Sequence, residues 1–170
     1  MYTHEIHQKL KILCIQEHWL YKCNKSYLNN KFPCWASSIR SIDEYEEDEE
    51  MLSRFPRGKG GVATMWRKEL SNYVKKCNIG NTRVLPVILT LGTLKVLIIN
   101  CYLPSGNSPK AMANYDEDMD IIGELILKYS RSYVIALLGD LQAVIYNWDN
   151  EKEATLRKLI ADHGSGRPWR

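Results

Sequence analysis

The stretch Ser132-Tyr133-Val134-Ile135-Ala136-Leu137-Leu138-Gly139-Asp140-Leu141-Gln142-Ala143 decides how the rest of the chain is read. Its apolar run, residues 133–138, is long enough for one fully buried strand, and β-branched Val134 and Ile135 favour a strand over a helix. Gly139 permits a sharp turn where that strand ends. The turn lifts Asp140 to the carboxyl end of a sheet, where open α/β proteins place their ligands. Gln142 lies two residues on, so in an extended stretch its amide points the same way as the Asp140 carboxylate. Together they suit a hard cation and a phosphoryl oxygen. Taken alone, Gly139-Asp140 reads first as a polar turn after a core strand. Two more polar residues at strand ends, Glu17 and Tyr102, shift the balance.

At 170 residues the chain suits one domain with a real core. No run of about 18 apolar residues is present, so the sequence predicts no membrane span. Residues 1–11 are polar and lack the apolar core of a signal peptide, which predicts an intracellular protein. The five cysteines are odd in number and scattered, with no C-x-x-C pair, so reduced thiols are expected rather than a disulfide frame or a zinc site. The net charge of +3 hides an asymmetry: residues 43–50 carry seven acids in eight positions. Removing those seven from the 20 acids leaves 13 against 23 Lys+Arg, a balance of +10. So basic a body suits a polyanion, although a solvated basic surface would look the same.

In chain order, residues 4–11 read as the tail of a helix, with Ile6 and Leu10 four apart. Residues 11–16 form the first strand, ending at Glu17. A helix is expected over residues 19–32, with Leu20, Cys23, Tyr27 and Leu28 inward and Pro33 as its stop. After a short strand at 34–39, residues 41–56 read as an acidic surface loop. The stretch Arg57-Gly58-Lys59-Gly60-Gly61 is basic and glycine-rich, so Arg57 and Lys59 are candidate phosphate contacts on a nucleic acid. It lacks the spacing and the terminal Lys-Ser/Thr of a nucleotide P-loop. It reads equally as a tight turn into the strand at 62–66. Strands follow at 72–79, 82–91 and 94–101, the last running into Tyr102-Leu103-Pro104. Residues 113–128 form an amphipathic helix with Met119, Ile122, Leu125 and Ile126 inward, and Asp116, Glu117 and Asp118 placed near its start to complement its dipole. The strand ending at Asp140, a loop at 144–150, a helix at 151–161 and a tail at 164–170 complete the chain. Strands in series with helices between some of them suggest two packed sheets with helices outside.

Four stretches in this order resemble one family. Ile12-Leu13-Cys14-Ile15-Gln16-Glu17-His18-Trp19-Leu20 resembles the strand that carries its metal-binding glutamate, and Gly58-Lys59-Gly60-Gly61-Val62-Ala63 its Gly-Gly strand. Ile99-Asn100-Cys101-Tyr102-Leu103-Pro104 is similar to its N-x-Y-x-P segment, and Gly139-Asp140-Leu141-Gln142-Ala143 to its G-D-F-N-A segment. The family is the endonuclease/exonuclease/phosphatase superfamily. Gln16-Glu17-His18-Trp19-Leu20 and Trp66-Arg67-Lys68 look most like the endonuclease domain of non-LTR, LINE-type retrotransposons. The resemblance implies an α/β fold, a four-layer sandwich of two mainly antiparallel or mixed β-sheets flanked by helices. It also implies a DNA-acting phosphodiesterase using Mg²⁺ or Mn²⁺. Glu17 would hold the metal, Asp140 would orient or deprotonate the attacking water, and Tyr102 and Gln142 would contact the scissile phosphate.

The sequence also departs from that family. It begins after the family's asparagine-bearing first strand and stops before the strands that carry a further Asp and an Asp-His pair, so a domain shortened at both ends is expected. Asp162-His163 follows directly on the last helix and is in the wrong place to be that pair. His4, His7 and His18 have no clustered carboxylates and read as surface or shell residues. Gln142 stands where the family has Asn. Three functions follow: a retrotransposon-type DNA endonuclease, nuclear where it works; a retrotransposon-derived remnant without catalysis, either a nucleic-acid-binding module or an unstable relic; and a phosphatase of a small phosphoester. Nothing in the sequence implies an obligate protein partner.

Overall fold

A computed structural model describes residues 10–44, 60–142 and 151–163 of the chain. Arg57, Lys59, the helix tail before residue 10, most of the acidic loop, the loop at 143–150 and the tail after 163 lie outside the described residues.

Two sheets form the body. In the first, β1 (Ile12–Gln16) and β2 (Trp35–Arg40) flank β3 (Val62–Arg67), and both pairings are antiparallel. The second has the order β4 (Val74–Lys76), β5 (Val84–Leu91), β6 (Leu94–Tyr102), β7 (Val134–Asp140). Here β4, β5 and β6 are antiparallel neighbours, whereas β6 and β7 run parallel. A parallel pair needs a crossover, and the long helix α2 (Pro109–Tyr129) supplies it. A short helix, α1 (Ser26–Lys31), precedes β2, and α3 (Glu151–His163) follows β7.

Strand alternation sorts the apolar residues into three layers. Leu97, Ile99 and Cys101 of β6 face α2, where Tyr115, Met119, Ile122, Leu125 and Ile126 complete the largest core cluster together with Leu156 of α3. Val87, Ile98 and Trp66 meet between the two sheets. Ala63, Met65, Trp35 and Leu28 form the outer cluster behind the first sheet. Helices, sheet, sheet and a thinner helical cover make the α/β sandwich expected, and the inward face of the long helix is the one its periodicity predicted. Among the described residues no helix is long and apolar enough to cross a membrane.

The structure corrects several local expectations. The helix expected over residues 19–32 shrinks to a 3₁₀ turn at Lys22–Asn24 and the six residues of α1. Glu17 (φ 53°) and Trp19 (φ 55°) are left-handed, which a right-handed helix cannot include. Only Leu28 of its inward set is buried, and Tyr27 is exposed. The strand expected at 72–79 forms over three residues. The long helix starts four residues early, because Ser108 caps it by accepting from Ala111 N–H at 3.2 Å and Pro109 fits its first turn. Asp116, Glu117 and Asp118 therefore lie two turns in and do not serve the dipole; Asp118 is buried. The run 133–138 is not a fully buried strand: β7 lies at the end of its sheet's strand order, and Val134 (58 %) and Leu138 (45 %) are exposed. Nor does the strand end at Gly139, which sits inside β7. With φ +127°, a Cβ there would lie 1.9 Å from the Cys101 carbonyl oxygen, so glycine is required by close backbone approach.

Candidate active site

The site is built from the strand ends. Along β6 the residues that face the other sheet alternate with those that face α2, so Asn100 and Tyr102 follow Ile98 toward the inter-sheet side. The parallel register sets Tyr102 directly beside Asp140, and the Leu103 N–H donates to the Asp140 carbonyl at 2.9 Å, extending the pairing past the strand end. Asn100 is fully buried and ties the two sheets together. Its Oδ1 accepts from Gln16 Nε2 at 2.6 Å, and its Nδ2 donates to the carbonyls of Ile15 (3.2 Å) and Ala63 (3.0 Å). The residue after Gln16 is Glu17, so this one amide fixes the end of β1 against the end of β6.

Glu17 and Tyr102 face each other there. Hydrogen bonding toward Glu17, then burial, then the charges of Glu17 and Asp140, pushes the Tyr102 phenol up to about 12. Tyr102 is consequently a neutral donor at any physiological pH, and it feels both carboxylates. Glu17 Oε2 also accepts from the Trp19 indole N–H at 3.2 Å. Across the rim, Gln142 (φ 49°) folds back on Asp140: its backbone N–H donates to Oδ1 at 3.1 Å and its Nε2 to Oδ2 at 2.6 Å. Glu17, Tyr102, Asp140 and Gln142, the four candidates within the described residues, are thus brought to one rim, while Arg57 and Lys59 lie outside those residues.

The turn that carries Glu17 is pinned from below. The His18 ring accepts from Leu20 N–H at Nδ1 (3.0 Å), which leaves Nε2 to donate to the Arg40 carbonyl (3.0 Å). Burial lowers the His18 pKa, in keeping with that neutral ring. Gly61 (φ +84°) lies against it: a Cβ there would be 2.5 Å from His18 Cε1. Next to it, the Gly60 carbonyl accepts from Trp19 N–H at 3.0 Å. The Gly60-Gly61 pair therefore seats the Glu17 turn.

Sequence reasoning gave no role to Asn100 or Trp19 and read His18 as a surface or shell residue. An asparagine inside an otherwise apolar strand, two residues before Tyr102, was the available signal for the first. The other two follow from left-handed backbone that no periodicity reveals.

The donor chemistry of the rim fits a hard divalent cation. Glu17 and Asp140 offer carboxylate oxygens, and such a cation needs only one or two carboxylates beside water and substrate oxygens. Softer ligands are committed elsewhere: both His18 nitrogens are hydrogen-bonded, and the Cys101 thiol, pushed up to about 12 chiefly by burial, donates to the Leu138 carbonyl at 3.4 Å. Among the described residues no group of three or more His, Cys, Asp or Glu gathers into a protein-only metal cage.

Neither a protein-family model nor a curated protein sequence matches this chain. Solved structures do. An AP endonuclease from Leishmania major, LMAP, superposes with a TM-score of 0.68 at 13 % identity, over 93 % of this chain and 59 % of its own. The endonuclease domain of TRAS1, a telomere-specific non-LTR retrotransposon, gives 0.63 at 12 % identity, over 96 % and 63 %. The 3′ phosphatase NExo from Neisseria, bound to a product DNA hairpin, gives 0.57 at 16 % identity, over 94 % and 64 %. The chain thus spans about 59–64 % of the length of these proteins. With two sheets layered as described and its strand ends converging on one rim, the chain carries the endonuclease/exonuclease/phosphatase fold.

Proposed function

We propose that this chain hydrolyses phosphodiester bonds in DNA with Mg²⁺ or Mn²⁺, as an endonuclease of the retrotransposon type. One observation carries the reading: Tyr102 sits in register beside Asp140 and faces Glu17, so three strand ends converge on one donor and two carboxylates. The likeness in fold to an AP endonuclease and to a retrotransposon endonuclease domain supports it. The basic balance of the chain outside residues 43–50 suits a polyanionic substrate.

Glu17 would hold the cation, with Asp140 on the same rim in register with Tyr102. When bound, such a cation offsets the charge of the phosphoryl oxygens. Asp140 accepts the proton of the attacking water, its carboxylate held in one orientation by the two Gln142 donors. The Tyr102 hydroxyl turns from Glu17 to a non-bridging phosphate oxygen as negative charge builds there. Asn100 and His18 keep the two strand ends in place and touch no substrate. With DNA as substrate, the expected compartment is the nucleus.

The test is nicking of supercoiled plasmid by the purified chain, with Mg²⁺, with EDTA, and with Asp140→Ala. Nicking that requires both Mg²⁺ and Asp140 is expected. Equal nicking by Asp140→Ala would contradict the assignment. The engagement of both Asp140 oxygens by Gln142 favours one other reading, DNA binding without hydrolysis; folded wild type that binds but never nicks would establish it.

A further inference from the structure

We propose that Trp19 is a stacking platform for one nucleobase of an unpaired DNA strand, seated beside the phosphate bound at the Glu17, Tyr102 and Asp140 rim. The inference rests on the reading of the rim as a DNA site and adds a contact to the base, which decides between a polynucleotide and a small phosphoester. Trp19 is 45 % exposed, unlike Trp35 (8 %) and Trp66 (4 %), which fill the core. Its backbone is left-handed at φ 55°, a conformation that is a genuine outlier for a bulky residue and that gathers at functional sites. Burial does not repay that strain, because nearly half the residue faces solvent. Hydrogen bonds hold the conformation instead: the backbone N–H to the Gly60 carbonyl at 3.0 Å and the indole N–H to Glu17 Oε2 at 3.2 Å.

The second of those bonds sets the indole's edge against the carboxylate, and nearly half of the residue stays exposed. A preorganised aromatic face with its polar edge already satisfied is what a nucleobase stacks on, and every base has a face to offer. A phosphate drawn to the Glu17 end of the rim brings the adjoining base to the indole. A phosphomonoester without a base gains nothing from the ring.

The experiment measures binding by fluorescence anisotropy in Ca²⁺ buffer, with two labelled probes of equal length: an oligothymidylate and a chain of abasic tetrahydrofuran nucleotides. Trp19→Ala is expected to weaken oligothymidylate binding by roughly tenfold or more and to leave the abasic probe unchanged. Trp19→Phe, which keeps a ring but loses the N–H, is expected to stay within about threefold of wild type on both. Where Trp19→Ala does not fold, Trp19→Leu keeps apolar bulk without aromaticity and is expected to show the same selective loss. Equal loss on both probes, no loss on either, or a fall for Trp19→Phe as large as for Trp19→Ala would each overturn the stacking role while leaving the DNA reading in place. Wild type that binds neither probe would overturn the DNA reading, and the stacking role with it.

Discussion

Two sets of carboxylates in this protein differ in everything except their chemistry. Asp118 is fully buried on α2, where Arg83 Nε donates to its Oδ2 at 2.5 Å and Asn81 Nδ2 to its Oδ1 at 2.6 Å. Asn81 in turn caps the start of β5 by accepting from the N–H groups of Arg83 and Val84 at 2.9 Å each. That carboxylate is fully charge-paired and fastens the helix to the sheet. Glu17 and Asp140 are met by neutral donors: an indole, a phenol and a primary amide. Nothing cationic neutralises them in those bonds, which leaves their charge available to a cation. The partners of a carboxylate, more than its presence, separate a fastening from a reactive site.

Substitution should split the two sets cleanly. Asp140→Ala is expected to lower plasmid nicking on the order of 10²–10⁴-fold, as loss of a general base does, with the melting temperature nearly unchanged. Asp118→Ala is expected to do the reverse, destabilising the fold by about 3 kcal/mol or more in urea titration, because it strands the Arg83 guanidinium in a half-buried setting. An Asp118→Ala protein of wild-type stability would erase the contrast. Gly139→Ala should fall between them. Its Cβ would press on the Cys101 carbonyl, force β7 from β6 and spoil the Tyr102–Asp140 register, costing about 1–3 kcal/mol and some activity together.

The smallest effect concerns pH. Folding raises the Tyr102 pKa from 10.0 to about 12, first through its bond to Glu17. The folded state therefore favours the protonated phenol. The associated stability is intact below pH 10 and is lost as pH rises from there toward 12. Wild type should lose stability across that window faster than Tyr102→Phe in parallel thermal melts of metal-free protein. Parallel curves would show that the Glu17–Tyr102 bond contributes little.

The sequence carried the sandwich and three of its strand ends because periodicity and breakers act locally. Residues 11–16, 94–101 and 133–140 alternate or run apolar and then meet a polar residue, so Glu17, Tyr102 and Asp140 could be placed at strand ends before any packing was known. What escaped it depends on partners distant in the chain. Asn100 reads as an interruption until Gln16, Ile15 and Ala63 are beside it. Asp118 reads as one of three acids complementing the helix dipole until Arg83 and Asn81 reach it from the start of β5. The helix expected from Trp19 onward failed because the Gly60 carbonyl and the Glu17 side chain hold Trp19 left-handed, a tertiary effect overriding a local pattern. The start of α2 was legible and missed, since Ser108-Pro109 is a cap followed by a first-turn proline.

The central claim is that Glu17 holds the cation at this rim. Its most direct test is Mn²⁺ binding to the purified chain by isothermal titration calorimetry. Wild type, Glu17→Gln and Glu69→Gln would be compared, the last removing an exposed carboxylate that pairs with Lys11 away from the rim. The account predicts one binding event in wild type, kept by Glu69→Gln and lost or weakened roughly tenfold or more in Glu17→Gln, because a charged ligand is replaced by a neutral one. Unchanged Mn²⁺ binding in folded Glu17→Gln would contradict it.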